Sequence, residues 1–234
     1  MAQWVVTAPP TDDLDGTRLF PVVLDASTPF GRCVVVDLAL ANAAAPEAIL
    51  ACLCREERTL AEGMRGARVI TFAGGRVAAR RAKERTPAFG TPTLMEPNGA
   101  PTAVSGVAVS ISHSRYYATA LAAVGPGWDV GVDIEALDDE GPEDLLAERI
   151  LSDAERAADQ ACDPIPILLR LSLKEAAYKA LFPQVGHTPL RCIGVTRRPG
   201  NALGYAVTVE GSEVSVIANA TQFWDHVLST AVAK

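Results

Sequence analysis

The sequence has no apolar run long enough to cross a bilayer, which takes about 20 consecutive apolar residues. Its opening stretch, MAQWVVTAPPTDDLDG, has no basic region leading into an apolar one, so no signal peptide and a cytoplasmic location are expected. Positive charge is in deficit. Lys and Arg number 21 against 28 Asp and Glu, a net charge of -7, the wrong balance for a general nucleic-acid binder. The cysteines are too few and too scattered for a framework. Cys33, Cys52, Cys54, Cys162 and Cys192 are odd in number, and Cys52-Leu53-Cys54 lacks the second pair that a zinc site needs. They read as reduced thiols of a cytosolic protein. No GxSxG, Walker-type loop or GxGxxG is present, so serine hydrolase, P-loop and dinucleotide readings have no support.

What is present points to a folded chain with a sizeable core. Hydrophobic residues make up 49% of the 234 positions and charged ones 21%, enough for a sizeable core and one large or two small domains. Short apolar runs at 4–7, 19–24 and 33–40 read as strands punctuated by Pro and Gly. Residues 46–62 and 64–83 read as helices. A Pro- and Gly-rich passage ending in the turn Pro97-Asn98-Gly99 follows. Runs at 107–112, 116–124 and 130–136, joined by short turns, suggest an antiparallel meander. Helices are expected at 143–150 and 152–161, the second opened by the capping box Ser152 and Glu155. A long helix should start after Asp163-Pro164 and stop at Pro183, and residues 191–233 should form three or four strands. The expected divide is an N-terminal half, 1–106, and a C-terminal half, 107–234.

Two segments carry the chemistry. In WDVGVDIE, residues 128–135, Val130, Val132 and Ile134 alternate with Gly131, Asp133 and Glu135, and residues two apart on a strand share a face. Two carboxylates therefore sit side by side on an apolar strand. LSLKEAAYK, residues 171–179, adds Glu175 with Lys179 one helical turn on. Most carboxylates are simply exposed. The helix around Glu175 is apolar almost all round, however, and a charge in a central helix needs a partner. Three carboxylates in such surroundings repel unless a hard cation joins them. Oxygen-only donors suggest Mg2+, which keeps waters and takes substrate phosphates as further ligands.

Other candidates are less decided. Lys179 fits an i,i+4 ion pair with Glu175 as well as it fits a phosphate. Residues 65–85 hold seven of the 21 Lys and Arg against the single acid Glu84. Arg76 and Arg80, one turn apart after Gly74-Gly75, suit either a solvated face or a phosphate-binding one. His113, between two serines at a strand end, is the one histidine of three with a suggestive setting; His187 and His226 lack one.

With these residues in place, the chain resembles the 4'-phosphopantetheinyl transferases of the large, monomeric Sfp type, most of all the siderophore-synthesis, EntD-like, branch. The resemblance rests on Gly131-Val132-Asp133-Ile134-Glu135 and on Leu171-Ser172-Leu173-Lys174-Glu175-Ala176-Ala177-Tyr178-Lys179, with 175 − 133 = 42 positions from Asp133 to Glu175. SISHS at 110–114, NGAP at 98–101, GGRVAARRA at 74–82 and KALFP at 179–183 match as well. Leu171 departs from the aromatic that the family prefers. The resemblance implies an α+β fold of two similar α/β halves related by a pseudo-twofold axis, each a small antiparallel sheet packed on a long helix, with coenzyme A in the cleft between them. It implies Mg2+ held on the coenzyme A pyrophosphate by Asp133, Glu135 and Glu175, and transfer of phosphopantetheine to a serine of an apo acyl, peptidyl or aryl carrier protein. Glu175 or a water on the metal would take the serine proton, and Lys179 would stabilise the phosphoryl oxygens. Ser112 and His113 would contact the nucleotide, Arg76 and Arg80 would add charge, and Gly99, Pro101 and Lys174 would line the coenzyme A site, although Lys174 suits a structural role equally. The alternatives are a Mg2+-dependent phosphodiesterase using the same acids and an inactive coenzyme A-binding homologue. No nucleic acid, no membrane and a monomer are expected.

Overall fold

The structure, a computed structural model, describes residues 4–7, 18–125, 127–138, 143–159, 165–201 and 203–233. The expected helix start at Asp163-Pro164, and Cys162, lie outside these residues. The chain divides into two compact units, Ala2–Pro126 and Gly127–Lys234.

The first unit is a five-stranded antiparallel sheet covered by one long helix. Its strands are β1 (Val5–Thr7), β2 (Val22–Thr28), β3 (Gly31–Asp37), β4 (Val107–His113) and β5 (Tyr117–Val124), in the order β1-β2-β3-β5-β4. Helices α1 (Ala39–Asn42), α2 (Pro46–Ala51), α3 (Arg55–Ala61) and α4 (Ala67–Ala82) lie between β3 and β4 in sequence. Helix α4 packs on β3, β4 and β5, and Phe20, Val34, Val36, Leu38, Val77 and Ala118 form the core between them.

The second unit repeats that plan. It contains β6 (Asp129–Ala136), α5 (Glu143–Ile150), α6 (Asp153–Asp159), α7 (Ile167–Val185), β7 (Ile193–Arg197), β8 (Gly204–Val209), β9 (Val216–Phe223) and β10 (His226–Ala233). Its sheet is antiparallel with the order β6-β10-β9-β8-β7. Helix α7 packs on β6, β10, β9 and β7 around Leu173, Ala176, Ala177, Ala180 and Leu181. The α+β class expected from the sequence is therefore correct. Among the described residues no helix is long and apolar enough to cross a membrane.

Three expectations change. The strands β4, β5 and β6 do not form one meander. Strand β5 inserts between β3 and β4, with Arg32 opposite Ala122 and Asp37 opposite Tyr117, while β6 pairs with β10. The divide thus falls at Pro126/Gly127 and not at 106/107, because a pairing with a strand some eighty positions away outweighs the short turns. The single helix expected at 46–62 is broken into α2 and α3. Cys54 turns extended and caps α3, its N–H donating to Glu57 Oε2 at 3.3 Å. Helix α7 continues through Pro183 and ends at Gly186, which takes a φ of +68°.

The glycines beside the two long helices set how closely helix and sheet approach. Gly131 faces α7, and a Cβ there would overlap the carbonyl oxygen of Ala176. Gly74 and Gly75 do the same from the helix side of the first unit, where a Cβ would meet the Leu38 and Ile111 side chains. All three glycines serve packing. Gly131→Ala drives a methyl into backbone and is expected to cost about 3 kcal/mol, near the top of the usual overpacking range. Gly75→Ala meets only a side chain and gains helix propensity of about 1 kcal/mol, so it should cost less. Denaturant unfolding of both variants checks the order; equal costs would contradict it.

Candidate active site

The face of β6 that Gly131 opens toward α7 also carries Asp133 and Glu135. Asp133 is 3% exposed. Lys179, on α7, donates from Nζ to Asp133 Oδ1 and to the Val132 carbonyl, both at 2.9 Å. It bridges helix to strand and is not simply an i,i+4 partner of Glu175. Glu175 precedes Ala176, the residue whose carbonyl lies against Gly131. Burial pushes the Glu175 carboxyl above its ordinary value; the Lys179 charge opposes this and the Asp133 charge adds to it. Asp133, Glu175 and Lys179 thus lie within electrostatic reach of one another. Glu135 is half-buried two residues along the same face, on the rung of Val227.

Among the described residues no group of three His, Cys, Asp and Glu side chains is gathered as a metal cage. Lys179 supplies the positive charge at Asp133. The donor chemistry still fits a hard cation whose remaining ligands are waters and substrate phosphates, the habit of Mg2+. Ser229 stands on the β10 rung opposite Asp133, and its buried hydroxyl has no hydrogen-bond partner among the described residues. The sequence offered no signal for Ser229, because only the register of β10 on β6 brings it there.

Lys174 has a different task. It is fully buried and donates to Glu155 Oε2 at 2.6 Å, to the Ile150 carbonyl and to the Leu190 carbonyl at 3.2 Å. Glu155 in turn accepts from the backbone N–H groups of Ser152 at 3.0 Å and Val195 at 3.1 Å, so the capping box is real and is also a buried anchor. Burial lowers the Lys174 pKa. The coenzyme A contact implied for Lys174 is replaced by this internal role, since every proton it can donate goes to the protein.

The remaining expected contacts all lie in the first unit. Arg76 is 6% exposed, stands 3.8 Å over the Phe72 ring and donates from Nε to the Thr93 carbonyl at 3.3 Å. Burial lowers its pKa to about 10. Arg80 donates to the Cys52 carbonyl at 2.9 Å and pairs with Glu57 at 3.4 Å. Both guanidinium groups thus face inward onto Glu57 and its surroundings, and the solvated or phosphate-binding face expected from their spacing is not formed by them. Ser112 and His113 end β4, half-buried and exposed respectively. Gly99 (φ +90°) closes a turn on the Glu96 carbonyl, and Pro101 bridges to Met95.

Two family models match this chain. Residues 56–123 match the 4'-phosphopantetheinyl transferase N-terminal domain, and residues 129–229 match the 4'-phosphopantetheinyl transferase superfamily. The chain belongs to the 4'-phosphopantetheinyl transferase superfamily. Among solved structures the transferase is similar to the Helicobacter pylori holo-[acyl-carrier-protein] synthase in complex with coenzyme A, at 23% identity over 45% of this chain and 99% of that one, with a TM-score of 0.35. It is similar also to the synthase of Thermotoga maritima (20% identity, 45% and 62% covered, TM-score 0.36) and to that of Bacillus anthracis in complex with CoA (21% identity, 45% and 94% covered, TM-score 0.37). Each likeness spans less than half of the transferase. No curated protein matches it.

The second family match contains Asp133, Glu135, Glu175 and Lys179, so the geometry of β6 and α7 belongs to the part of the transferase that defines the superfamily. Two tests follow from it. Lys174→Ala would strand Glu155 in the interior and should cost about 3–5 kcal/mol in denaturant unfolding, the usual penalty for breaking a buried ion pair. A fully stable variant weakened only toward coenzyme A would contradict the structural role. Folding raises the Glu175 pKa above 4.5, so its ionised form is disfavoured in the folded state. That penalty is absent below the unfolded value and grows as pH rises through the folded one. In metal-free buffer, Glu175→Gln should therefore melt higher than the parent above the carboxylate range and no higher below it. A gap in melting temperature that ignores pH would contradict this.

Proposed function

We propose that the transferase moves the 4'-phosphopantetheine group of coenzyme A onto a serine hydroxyl of an apo acyl, peptidyl or aryl carrier protein, releasing adenosine 3',5'-bisphosphate. The observation that carries the reading is the cluster of Asp133, Glu175 and Lys179 at the point where α7 closes on β6. In the reaction the serine oxygen bonds to the phosphorus that carries pantetheine, and the pyrophosphate P–O bond on its far side breaks.

Asp133, Glu135 and Glu175 are the residues that would hold Mg2+. When bound there, the cation would neutralise the pyrophosphate and the charge that develops on the leaving phosphate. Glu175 has the character of a general base, since a carboxyl lifted by burial holds a proton more readily than an exposed one. Lys179, 26% exposed at its side chain, has an ammonium fixed by Asp133 and Val132 and is placed to stabilise phosphoryl oxygens. Ser112 and His113 are proposed nucleotide contacts, with Gly99 and Pro101 in the adjoining coenzyme A site. Within the superfamily, the motifs favour the siderophore-synthesis branch.

The test is transfer itself. The protein is incubated with coenzyme A, Mg2+ and a panel of apo carrier proteins, and the carriers are weighed by intact mass spectrometry. One phosphopantetheine group should be gained. Asp133→Ala and Glu175→Ala should each lower the rate by at least about 10²–10³-fold with the circular dichroism unchanged. No mass gain on any carrier, or near-normal turnover by either variant, would overturn the reading. Turnover of a phosphodiester without a carrier would favour a phosphodiesterase built on the same acids.

A further inference from the structure

The face of β10 that lies against α7 carries Val227, Ser229, Ala231 and Ala233, since residues two apart on a strand share a face. Three of these are apolar and belong to the core around α7. The fourth, Ser229, has no exposed surface. Its hydroxyl has no hydrogen-bond partner among the described residues. A buried hydroxyl in that state opposes folding, because it gives up its bonds to water and gains none in return. Alanine is almost the same size, and β10 uses it on the next rung, at Ala231. Packing alone therefore gives no reason for a serine at 229.

The strand register supplies a reason. Ser229 stands opposite Asp133 on β6 and opposite Ala220 on β9. Asp133 is thus the only other polar side chain on that rung of the three strands. Side chains directly opposite on an antiparallel pair have Cβ atoms about 4.5–5.5 Å apart, within reach of a hydrogen bond made directly or through one water. Lys179 reaches the same carboxylate from α7, at Oδ1. Carboxylates that ligate a metal are themselves held by hydrogen-bond donors, and those donors set how well the metal binds. A neutral hydroxyl suits this task, because it orients the carboxylate without adding a second positive charge that would compete with the cation. Thr230, the next residue, offers a comparison within the same strand. Its hydroxyl is equally buried and also has no partner among the described residues, but it stands opposite Val132, on the other face of the sheet.

We propose that Ser229 is a positioning residue for the cation site: its hydroxyl donates to the Asp133 carboxylate and holds it in the orientation in which it ligates a divalent cation. This rests on the reading of Asp133, Glu135 and Glu175 as that site. The experiment titrates the full-length parent, Ser229→Ala and Thr230→Val with Mn2+ in the presence of coenzyme A, followed by electron paramagnetic resonance, and melts each protein in metal-free buffer. Ser229→Ala should raise the Kd for Mn2+ about tenfold, the usual effect of removing a partner of a metal ligand. It should melt no lower than the parent, since it removes a hydroxyl that the cation-free fold leaves unsatisfied. Thr230→Val should leave the Kd unchanged. In steady-state transfer, Ser229→Ala should need about tenfold more Mg2+ for half its maximal rate, with kcat at saturating Mg2+ and the KM for the carrier unchanged. An unchanged Kd in Ser229→Ala, beside a parent that binds Mn2+, would overturn the role of Ser229 alone. So would weaker binding together with a lower melting temperature, which would mark the hydroxyl as support for the fold. An equal loss of affinity in Thr230→Val would overturn it as well, by showing a general loosening of β10. A parent that binds no Mn2+ would overturn the cation reading of the three acids and this one with it.

Discussion

The approach of α7 to β6 at Gly131 is the constraint on which the site depends. A Cβ at that position would occupy the space of the Ala176 carbonyl, so the helix lies closer to the strand than a side chain would allow. Glu175 is the neighbour of that contact and Lys179 lies one turn beyond it, so Lys179 reaches the Asp133 carboxylate on the strand and Glu175 lies within electrostatic range of it. The proposed catalytic groups thus sit on rigid elements fixed by backbone packing, an arrangement that holds geometry more tightly than loops do. The helix is tied down at Lys174 as well, whose buried ammonium fastens α7 to Glu155 and to the carbonyls of Ile150 and Leu190.

The first unit contains an echo of that anchor without its chemistry. Glu57 is buried at the third position of α3 and takes the Thr93 N–H at 2.9 Å, as Glu155 at the third position of α6 takes that of Val195. Each stands the same distance ahead of a buried cation on the long helix that follows, since 76 − 57 = 19 and 174 − 155 = 19. After the cation the units part. Lys174 is followed by Glu175, whereas Arg76 is followed by Val77. The shared anchor sets the helix; only the second unit adds the acid.

This explains what could be read from the sequence and what could not. The alternation of β6, the apolar α7 and the Ser152–Glu155 box are local patterns, and local patterns survive folding with little change. The strand that inserts between β3 and β4, the inward turn of Arg76 and Arg80, and the placing of Ser229 beside Asp133 all depend on partners far along the chain. The basic run at 65–85 reads in the sequence as a field facing outward because Glu57, the buried acid that pairs with Arg80, belongs to the helix before it. The break at 52–54 was hidden by a cysteine doing the work of a helix cap, a position usually held by Ser, Thr, Asp or Asn.

The central proposal is that, where α7 packs closely on β6, Asp133, Glu135 and Glu175 take up one divalent cation together with the coenzyme A pyrophosphate. Binding of Mn2+ as a paramagnetic stand-in, followed by electron paramagnetic resonance with and without coenzyme A, addresses it most directly. The account predicts a single site that tightens when coenzyme A is present and is lost when Asp133→Asn and Glu175→Gln are combined. An equal affinity in that double variant, or binding that ignores coenzyme A, would contradict it.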